Sequence, residues 1–353
     1  MRLKFPAPYF GGKSRIASRV WELLGQVPHY LEPCFGSGAV LLARPNYDPR
    51  KHIETVCDLD GHVCNVWRAL QFAPEEVAKY CDWPVNHIDL NARRRVLIAK
   101  TEKLVELLTN DEKAYDAELA GYWIWCASTW IGHDMTSPNS MPLVAKTGES
   151  KRINGQLPHC IDTGMGIHAL GKVPFLVGES KGINGQRPHL GAKGVHAERN
   201  ENIYAWFDAL SIRLRRVRVV CGDWKRICGG DWQDAVKGTG CGIFFDPPYS
   251  DTDRDLVYQH DSTEVAKEIA AWCLERGSRS TYRIVLCGYE GEHPQLIEAG
   301  WRTERWKTKG GYGNTARGGK VTRGKINRKR ECLWISPHCL RTTLFDAAPA
   351  AEK

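Results

Sequence analysis

The chain has 353 residues, a hydrophobic fraction of 42% and a formal net charge of +8. This length supports one large core or a core with an inserted domain, and the positive charge favours a polyanionic partner. Nothing resembles a signal peptide and no run of about 18 apolar residues occurs, so we expect a cytoplasmic protein that does not cross a membrane.

Strand and helix patterns alternate twice within the first 80 residues. They are the strand His29–Pro33, a turn with Gly36 and Gly38, the helix start Ala39–Leu42, the strand Ile53–Cys57 ending at Asp58, and the helix Gly61–Leu70. Two consecutive strand–helix units predict a parallel sheet with α/β wrapping.

The character of the chain changes at about residue 81. Asp89–Leu108 and Tyr115–Ile131 have helical patterns, whereas His133–Arg199 is rich in Gly, Pro, Ser, Lys and His. In that region Gly148–His159 returns as Gly178–His189, with ten of twelve positions identical. Each copy contains an Asn-Gly pair, which is typical of a tight hairpin turn, so we predict two related hairpins or fingers.

The α/β pattern resumes after about residue 200. Its segments are the strands Arg218–Cys221, Gly242–Asp246, Arg283–Cys287 and Glu331–Ile335, and the helix Thr263–Arg276 with Gly277 as its stop. We therefore predict one α/β domain formed by residues 1–80 and 201–340, an insert at 81–200 and a disordered tail at 341–353.

The thirteen cysteines are scattered, and no C-x-x-C pair occurs. This usage predicts reduced, mostly buried thiols in a reducing compartment. We assign no metal site.

The turn after the first strand is suited to close approach of a ligand to the backbone. Gly36 and Gly38 lack side chains that would block this approach, although Leu41 stands where a dinucleotide-binding pattern has a third glycine. Asp58 follows about twenty residues later at the end of the next strand, where a carboxylate can accept both hydroxyls of a ribose. The alternative is an ordinary loop aspartate.

The segment "DPPY", Asp246 to Tyr249, follows an apolar strand. Pro247 and Pro248 lack N–H donors, so this tip presents carbonyl and carboxylate acceptors beside the aromatic face of Tyr249. Such a group suits a nucleobase that carries an exocyclic amine, and the base would have to flip out of a duplex to reach it. The alternative is a turn with a surface tyrosine.

A run of basic residues without an acidic one extends from Lys307 to Arg330. It contains Lys325, Arg328 and Lys329 and is interleaved with glycines. The run favours contact with a phosphate backbone, and the alternative is a solvated loop.

Taken in order, these motifs resemble the Dam-like class of adenine-N6 DNA methyltransferases. "PYFGGKSRIA" is similar to the N-terminal motif of that class, "LEPCFGSGAVLL" to its cofactor loop, "VCDLDGHVCNVWRAL" to its ribose motif, and "DPPY" to its catalytic motif. "YRIVLCGYE" and "RKRECLWISP" look like its late strands. The cofactor loop departs from the class at Cys34, where phenylalanine is usual.

The resemblance implies a Rossmann-like S-adenosylmethionine-dependent methyltransferase sheet with helices on both faces, and an inserted helical and hairpin domain that recognises the target. It implies a monomer that acts on double-stranded DNA. The residues implied to bind S-adenosyl-L-methionine are Tyr9, Lys13, Glu32, Pro33, Gly36, Gly38, Asp58 and Asp246. The implied catalytic residues are Asp246, Pro247, Pro248 and Tyr249.

The duplicated fingers supply candidate DNA contacts. Arginine reads guanine, and glutamine reads adenine, in the major groove. The candidates are Arg152, Gln156, Gln186 and Arg187, in addition to the basic residues Lys325, Arg328 and Lys329. The alternative is a genetic duplication that forms a surface flap.

Three other functions remain open at this point. An N4-cytosine DNA methyltransferase would act on an equivalent amine, and an RNA or protein amide methyltransferase would use a similar tip. A catalytically idle DNA-binding module is the third.

Overall fold

The computed structural model describes residues 3–9, 11–84, 87–130, 135–136, 143–144, 150–151, 201–229, 240–248, 263–306 and 330–341. These residues form a mixed α/β protein with a seven-stranded sheet and helices on both sides of it. The α/β class predicted from the sequence is thus confirmed.

Ten helices and nine strands lie in the described part of the chain. The helices are α1 (Ala17–Leu24), α2 (Ala39–Leu42), α3 (Gly61–Phe72), α4 (Pro74–Cys81), α5 (His87–Asn110), α6 (Ala117–Thr129), α7 (Glu201–Leu214), α8 (Lys225–Cys228), α9 (Thr263–Arg276) and α10 (Pro294–Glu298). The strands are β1 (His29–Glu32), β2 (Ile53–Asp58), β3 (Leu143–Val144), β4 (Ser150–Lys151), β5 (Val217–Cys221), β6 (Cys241–Phe245), β7 (Tyr282–Tyr289), β8 (Arg302–Arg305) and β9 (Glu331–Ile335).

The strand order of the large sheet is β5-β2-β1-β6-β7-β9-β8. Strands β2, β1, β6 and β7 pair in parallel, whereas β9 pairs antiparallel with both β7 and β8. When only the seven strands of this sheet are numbered in chain order, their order across the sheet is third, second, first, fourth, fifth, seventh, sixth. The sheet is therefore mixed, and the expectation of a parallel sheet needs correction at this edge. An apolar run predicts a strand, but the direction of that strand depends on its distant partners.

The chain divides into two compact units. The first comprises Met1–Gly12, Cys57–Arg226 and Val257–His260, and the second comprises Lys13–Val56, Ile227–Leu256 and Asp261–Lys353. The second unit therefore contains β1, β6, β7, β8 and β9, and β2 as far as Val56.

The core of the second unit surrounds its central strands. All five residues of β6 are buried, as expected for a parallel strand that is covered on both faces. A Cβ at Gly242 would lie 2.8 Å from Val27 Cγ2, so the glycine permits close packing of the segment that joins α1 to β1. Helix α1 contacts β6 and β7 through its buried face, which includes Val20, Leu23 and Leu24.

The first unit packs around α3. Residues 61–70 of this helix are all buried, and α3 contacts α5, α6, α7 and β5. The guanidinium of Arg68 donates hydrogen bonds to the carbonyl oxygens of Val219, Leu108 and Asp111, which ties α3 to β5 and to the end of α5. Helices α5 and α6, which the sequence analysis assigns to the insert at 81–200, pack on α3 in this unit. The boundaries of that insert stay a prediction.

Most strands and helices lie where the sequence predicts them. Helices α1, α4, α7, α8 and α10 and strand β8 were missed. Of the two fingers only Ser150–Lys151, which forms β4, is described, and the tail beyond Arg341 lies outside the described residues. All twelve cysteines within the described ranges are free thiols, and all except Cys34 are buried. The described helices include none with the length and apolar character needed to cross a membrane.

Candidate functional site

The strand order reverses between β1 and β6, which both belong to the second unit. Strands added after β1 extend the sheet first on one side and then, from β6 onwards, on the other. Open α/β sheets bind ligands outside the carboxyl ends of the strands at such a switch point. Glu32 ends β1, and Asp246 directly follows β6, so each strand places a carboxylate at this edge.

A glycine turn connects β1 to α2 at the same edge. Gly36 and Gly38 have φ values of 49° and 57°, in the left-handed region where glycine is favoured, and Pro33 before them is buried. Beyond α2, Arg44 pairs with Glu54 at 3.1 Å, and both side chains are fully buried. The predicted succession of strand, glycine turn and helix is thus confirmed. The buried ion pair connects the segment after α2 to strand β2.

Glu32 is buried beneath this turn, with 2% of the residue exposed. The Tyr30 hydroxyl donates to Glu32 Oε2 over 2.9 Å, and the Leu41 amide donates to the same oxygen over 3.2 Å. Burial raises the pKa of Glu32 well above its usual range, and the carboxylates of Asp246 and Glu54 raise it further. The two hydrogen bonds act in the opposite direction because they favour the charged form.

Asp246 is held by groups from two other segments. Lys13 Nζ lies 2.7 Å from Asp246 Oδ2, and these side chains are 9% and 18% exposed. Phe245 pairs with Leu286 in the β6–β7 register, so the following residues Asp246 and Cys287 are adjacent, and the Cys287 thiol hydrogen-bonds to the carboxylate. Burial raises the pKa of Asp246, and Lys13 and the thiol partly offset this effect.

The proline tip continues from Asp246. Pro247 is buried and Pro248 is half-buried, whereas Tyr249 lies outside the described residues. Neither proline has an N–H, so the backbone adds acceptors and no donors at this point. The edge between β1 and β6 therefore combines two carboxylates, one ammonium group and backbone carbonyls.

The first unit contains the predicted ribose aspartate. Asp58 ends β2 and is half-buried, and its Oδ1 accepts the Asp60 amide over 2.9 Å. Asp60 caps α3 by accepting the amides of His62 and Val63. The aspartate that caps the helix is thus distinct from the aspartate that ends the strand.

Tyr9 also belongs to the first unit and is half-buried. Its ring meets Phe5 edge-to-face, with centroids 5.7 Å apart and an interplanar angle of 85°. Phe5 is buried against Trp67 and Trp123, at centroid distances of 5.0 and 5.8 Å. Tyr9 is therefore attached to a packed aromatic cluster.

The second unit thus brings Lys13, Glu32, the glycine turn and Asp246 together, while Tyr9 and Asp58 belong to the first unit. The remaining predicted residues lie outside the described part of the chain; they are Tyr249, Arg152, Gln156, Gln186, Arg187, Lys325, Arg328 and Lys329.

Two residues at the β1–β6 edge were missed from the sequence. Tyr30 precedes Glu32 by two positions, so strand alternation places both side chains on one face, and this signal was available. Cys287 carries no such signal, because its contact with Asp246 depends on the pairing of two strands that are distant in the chain. Within the described ranges, no group of three or more His, Cys, Asp or Glu residues is placed to hold a metal ion.

A scan against protein-family models gives no match for this chain, and a search of curated proteins gives none. Arguments about function therefore rest on the residues and their geometry.

Proposed function

We propose that this protein is an S-adenosylmethionine-dependent DNA methyltransferase that acts on the N6 amine of an adenine flipped out of duplex DNA. The observation that carries the proposal is the ion pair between Lys13 and Asp246, 2.7 Å long. These residues come from the N-terminal and the catalytic motifs, which are far apart in the chain, and they meet at the edge where α/β sheets bind their ligands.

The sheet order supports a Rossmann-like arrangement. The first five strands of the sheet follow the doubly wound order third, second, first, fourth, fifth, and the seventh strand lies antiparallel between the fifth and the sixth. In this arrangement the ligand lies across the switch point. Helices α5 and α6 and the following segment would then begin the inserted domain that recognises the target.

The charges at the edge help to distinguish possible ligands. A dinucleotide carries phosphates, which the carboxylates of the buried Glu32 and the half-buried Asp246 would repel. In addition, Leu41 occupies the position of the third glycine that the dinucleotide pattern requires. S-adenosylmethionine carries a ribose and no phosphate, and its sulfonium and amino group outweigh its single carboxylate, so that the molecule is a net cation. The carboxylates therefore fit this cofactor.

Four groups of the chain would hold the cofactor. Glu32 and the glycine turn would accept its cationic part, and Asp58 would accept the two ribose hydroxyls. Tyr9 would supply an aromatic surface, held by Phe5. When bound, the cofactor supplies an electrophilic methyl group.

Asp246 and the Pro247 carbonyl would act on the amine of the target base. Both accept hydrogen bonds from an NH₂ group, which draws its nitrogen towards tetrahedral geometry and leaves its lone pair available. Lys13 holds the Asp246 carboxylate in place, and Tyr249 would stack on the base. Positioning and electrostatics would supply most of the rate. No strong general base would be needed, because the amine proton can leave after methyl transfer.

Duplex DNA is the partner that best suits the rest of the chain. The formal net charge is +8, and a basic run without acidic residues extends from Lys307 to Arg330. Arg305 at the end of β8 and Glu331 at the start of β9 flank that run. Because β8 runs parallel to β7 and β9 opposes both, these two residues lie at the carboxyl edge of the sheet, where Asp246 also lies.

A methyl-transfer assay tests the proposal. The purified chain is incubated with S-adenosylmethionine and unmethylated genomic DNA, and the nucleosides are then identified by mass spectrometry. We expect N6-methyladenine. N4-methylcytosine would change the target base and keep the site, whereas the absence of any methylated nucleoside would contradict the proposal and direct the assay to RNA.

A further inference from the structure

Tyr30 is buried directly beneath Glu32. The tyrosine is 0% exposed, and its hydroxyl donates to Glu32 Oε2 over 2.9 Å. The second donor to this oxygen is the Leu41 amide, at 3.2 Å. Because both donors reach Oε2, the other oxygen, Oε1, is the one that can accept a ligand's donor.

The tyrosine ring has a fixed position. It packs against Trp21 with ring centroids 4.7 Å apart, and the indole N–H of Trp21 donates to the Val40 carbonyl over 2.7 Å. Val40 belongs to α2, which begins after the glycine turn. A ring held in this way cannot move its hydroxyl without disturbing α1 or α2.

We propose that Tyr30 is a positioning residue that orients the Glu32 carboxylate for the cationic part of the cofactor. This inference rests on the proposed function and adds to it a residue that does not itself touch the ligand. The Tyr30 hydroxyl acts through Glu32, since it fixes one carboxylate oxygen. It also opposes the effect of burial on Glu32 by favouring the charged form, which attracts a cation.

Other ionisable groups also surround Glu32, and the experiment must separate them from it. Asp246 with Lys13 lies at the neighbouring strand end, and Glu54 with Arg44 lies beside Tyr30 across the β1–β2 register. Titration of these groups also makes ligand binding depend on pH. Glu32→Gln removes the contribution of Glu32 alone, because the amide has nearly the same shape and cannot ionise.

The experiment measures the Kd of S-adenosylmethionine by calorimetry between pH 5.5 and 8.5. The proteins are the full-length wild type, Tyr30→Phe, Glu32→Gln and the double variant. We expect Tyr30→Phe to raise Kd about 10-fold at pH 7, as expected when a hydrogen bond to a charged group is lost. The weakening of binding in acid should begin at higher pH in Tyr30→Phe, because the charged form of Glu32 has lost a donor.

In the Glu32→Gln background, Tyr30→Phe should change Kd less than about 2-fold and leave the pH dependence unmoved. Under saturating cofactor, kcat of Tyr30→Phe should stay within about 2-fold of the wild type, since binding and not reaction is affected.

Tyr282→Phe is the matched control. Tyr282 is also buried, but it is the first residue of β7, away from the carboxyl ends of the strands where the cofactor would bind. It should bind as the wild type does. An unchanged Kd in Tyr30→Phe, or an equal effect of Tyr30→Phe with and without Glu32, would overturn the role of Tyr30 and leave the proposed function standing. A wild type that does not bind S-adenosylmethionine would overturn both.

Discussion

The ion pair between Lys13 and Asp246 combines opposing electrostatic effects at one carboxylate. Burial disfavours the charged form of Asp246, whereas Lys13 and the Cys287 thiol favour it. The ionised form of Asp246 is the stronger acceptor for an amine, because a protonated carboxyl keeps only part of its acceptor capacity. In the proposed reaction Lys13 would therefore have a chemical role in addition to a structural one, because it favours the ionised form of the half-buried Asp246.

Replacing Lys13 by methionine tests this role. Methionine fills the space of the lysine stem but removes the charge, so the pKa of Asp246 rises further and its protonated form persists to higher pH. The acid limb of the kcat/KM profile should therefore move to higher pH, and the rate at pH 7 should fall by about 100-fold. The pH–rate profiles of wild type and variant provide the measurement.

Lys267→Met serves as the control for this prediction. Lys267 pairs with Glu264 on the exposed surface of α9, so its loss should leave the profile unchanged. A Lys13→Met protein that melts as the wild type does and has the wild-type profile would show that the ion pair does not set the ionisation of Asp246.

At the scale of the elements, Gly277 follows the end of α9 as the sequence predicts, but it serves a different purpose from the left-handed helix cap that a glycine at this position usually provides. The helix ends at Arg276, and Gly277 follows, but its φ does not lie in the left-handed region. A Cβ at this position would lie 2.5 Å from Trp301 Cζ2 and 2.7 Å from the Cys273 carbonyl oxygen. The glycine is required for close packing of the helix end, and not for a left-handed cap.

Gly277→Ala should therefore lower the free energy of unfolding by about 1–3 kcal/mol, the usual cost of overpacking a core. Urea unfolding followed by circular dichroism measures this change. Ser278→Ala, at the exposed neighbouring position, should cost far less. Equal stability of Gly277→Ala and the wild type would show that Trp301 moves aside freely.

The sequence predicts most strands of the large sheet but not their pairing, and it misses half of the ten described helices. The turn between β1 and α2 could be predicted because its glycines, its apolar strand and its helix start lie within a few residues of each other. The antiparallel direction of β9 and the contact of Cys287 with Asp246 could not, because both depend on register between distant strands. Helix α4 was missed although Pro74, Glu75 and Glu76 are typical of a helix start.

At the scale of the whole molecule, charge should control the affinity for DNA. Each phosphate contact contributes about −0.9 to the slope of log Kobs against log salt concentration. Neutralising Lys325, Arg328 and Lys329 should therefore make this slope shallower by about 2.7 if each residue contacts one phosphate. Fluorescence anisotropy with a labelled duplex over a salt series measures the slope.

A matched triple variant controls for the loss of net charge. Lys51, Lys79 and Lys267 are exposed and lie outside the basic run, so their neutralisation should change the slope much less. A slope that is the same in the first triple variant and in the wild type would rule out phosphate contacts by Lys325, Arg328 and Lys329.

The most direct test of the account compares Asp246→Asn with Asp208→Asn in methyl transfer to duplex DNA. Asparagine preserves the shape of each side chain, and Asp208 is an exposed carboxylate on α7. We predict that Asp246→Asn loses about 1,000-fold or more in rate, while Asp208→Asn transfers methyl groups to adenine as the wild type does. Wild-type transfer by Asp246→Asn would contradict the assignment of the active site to the edge between β1 and β6.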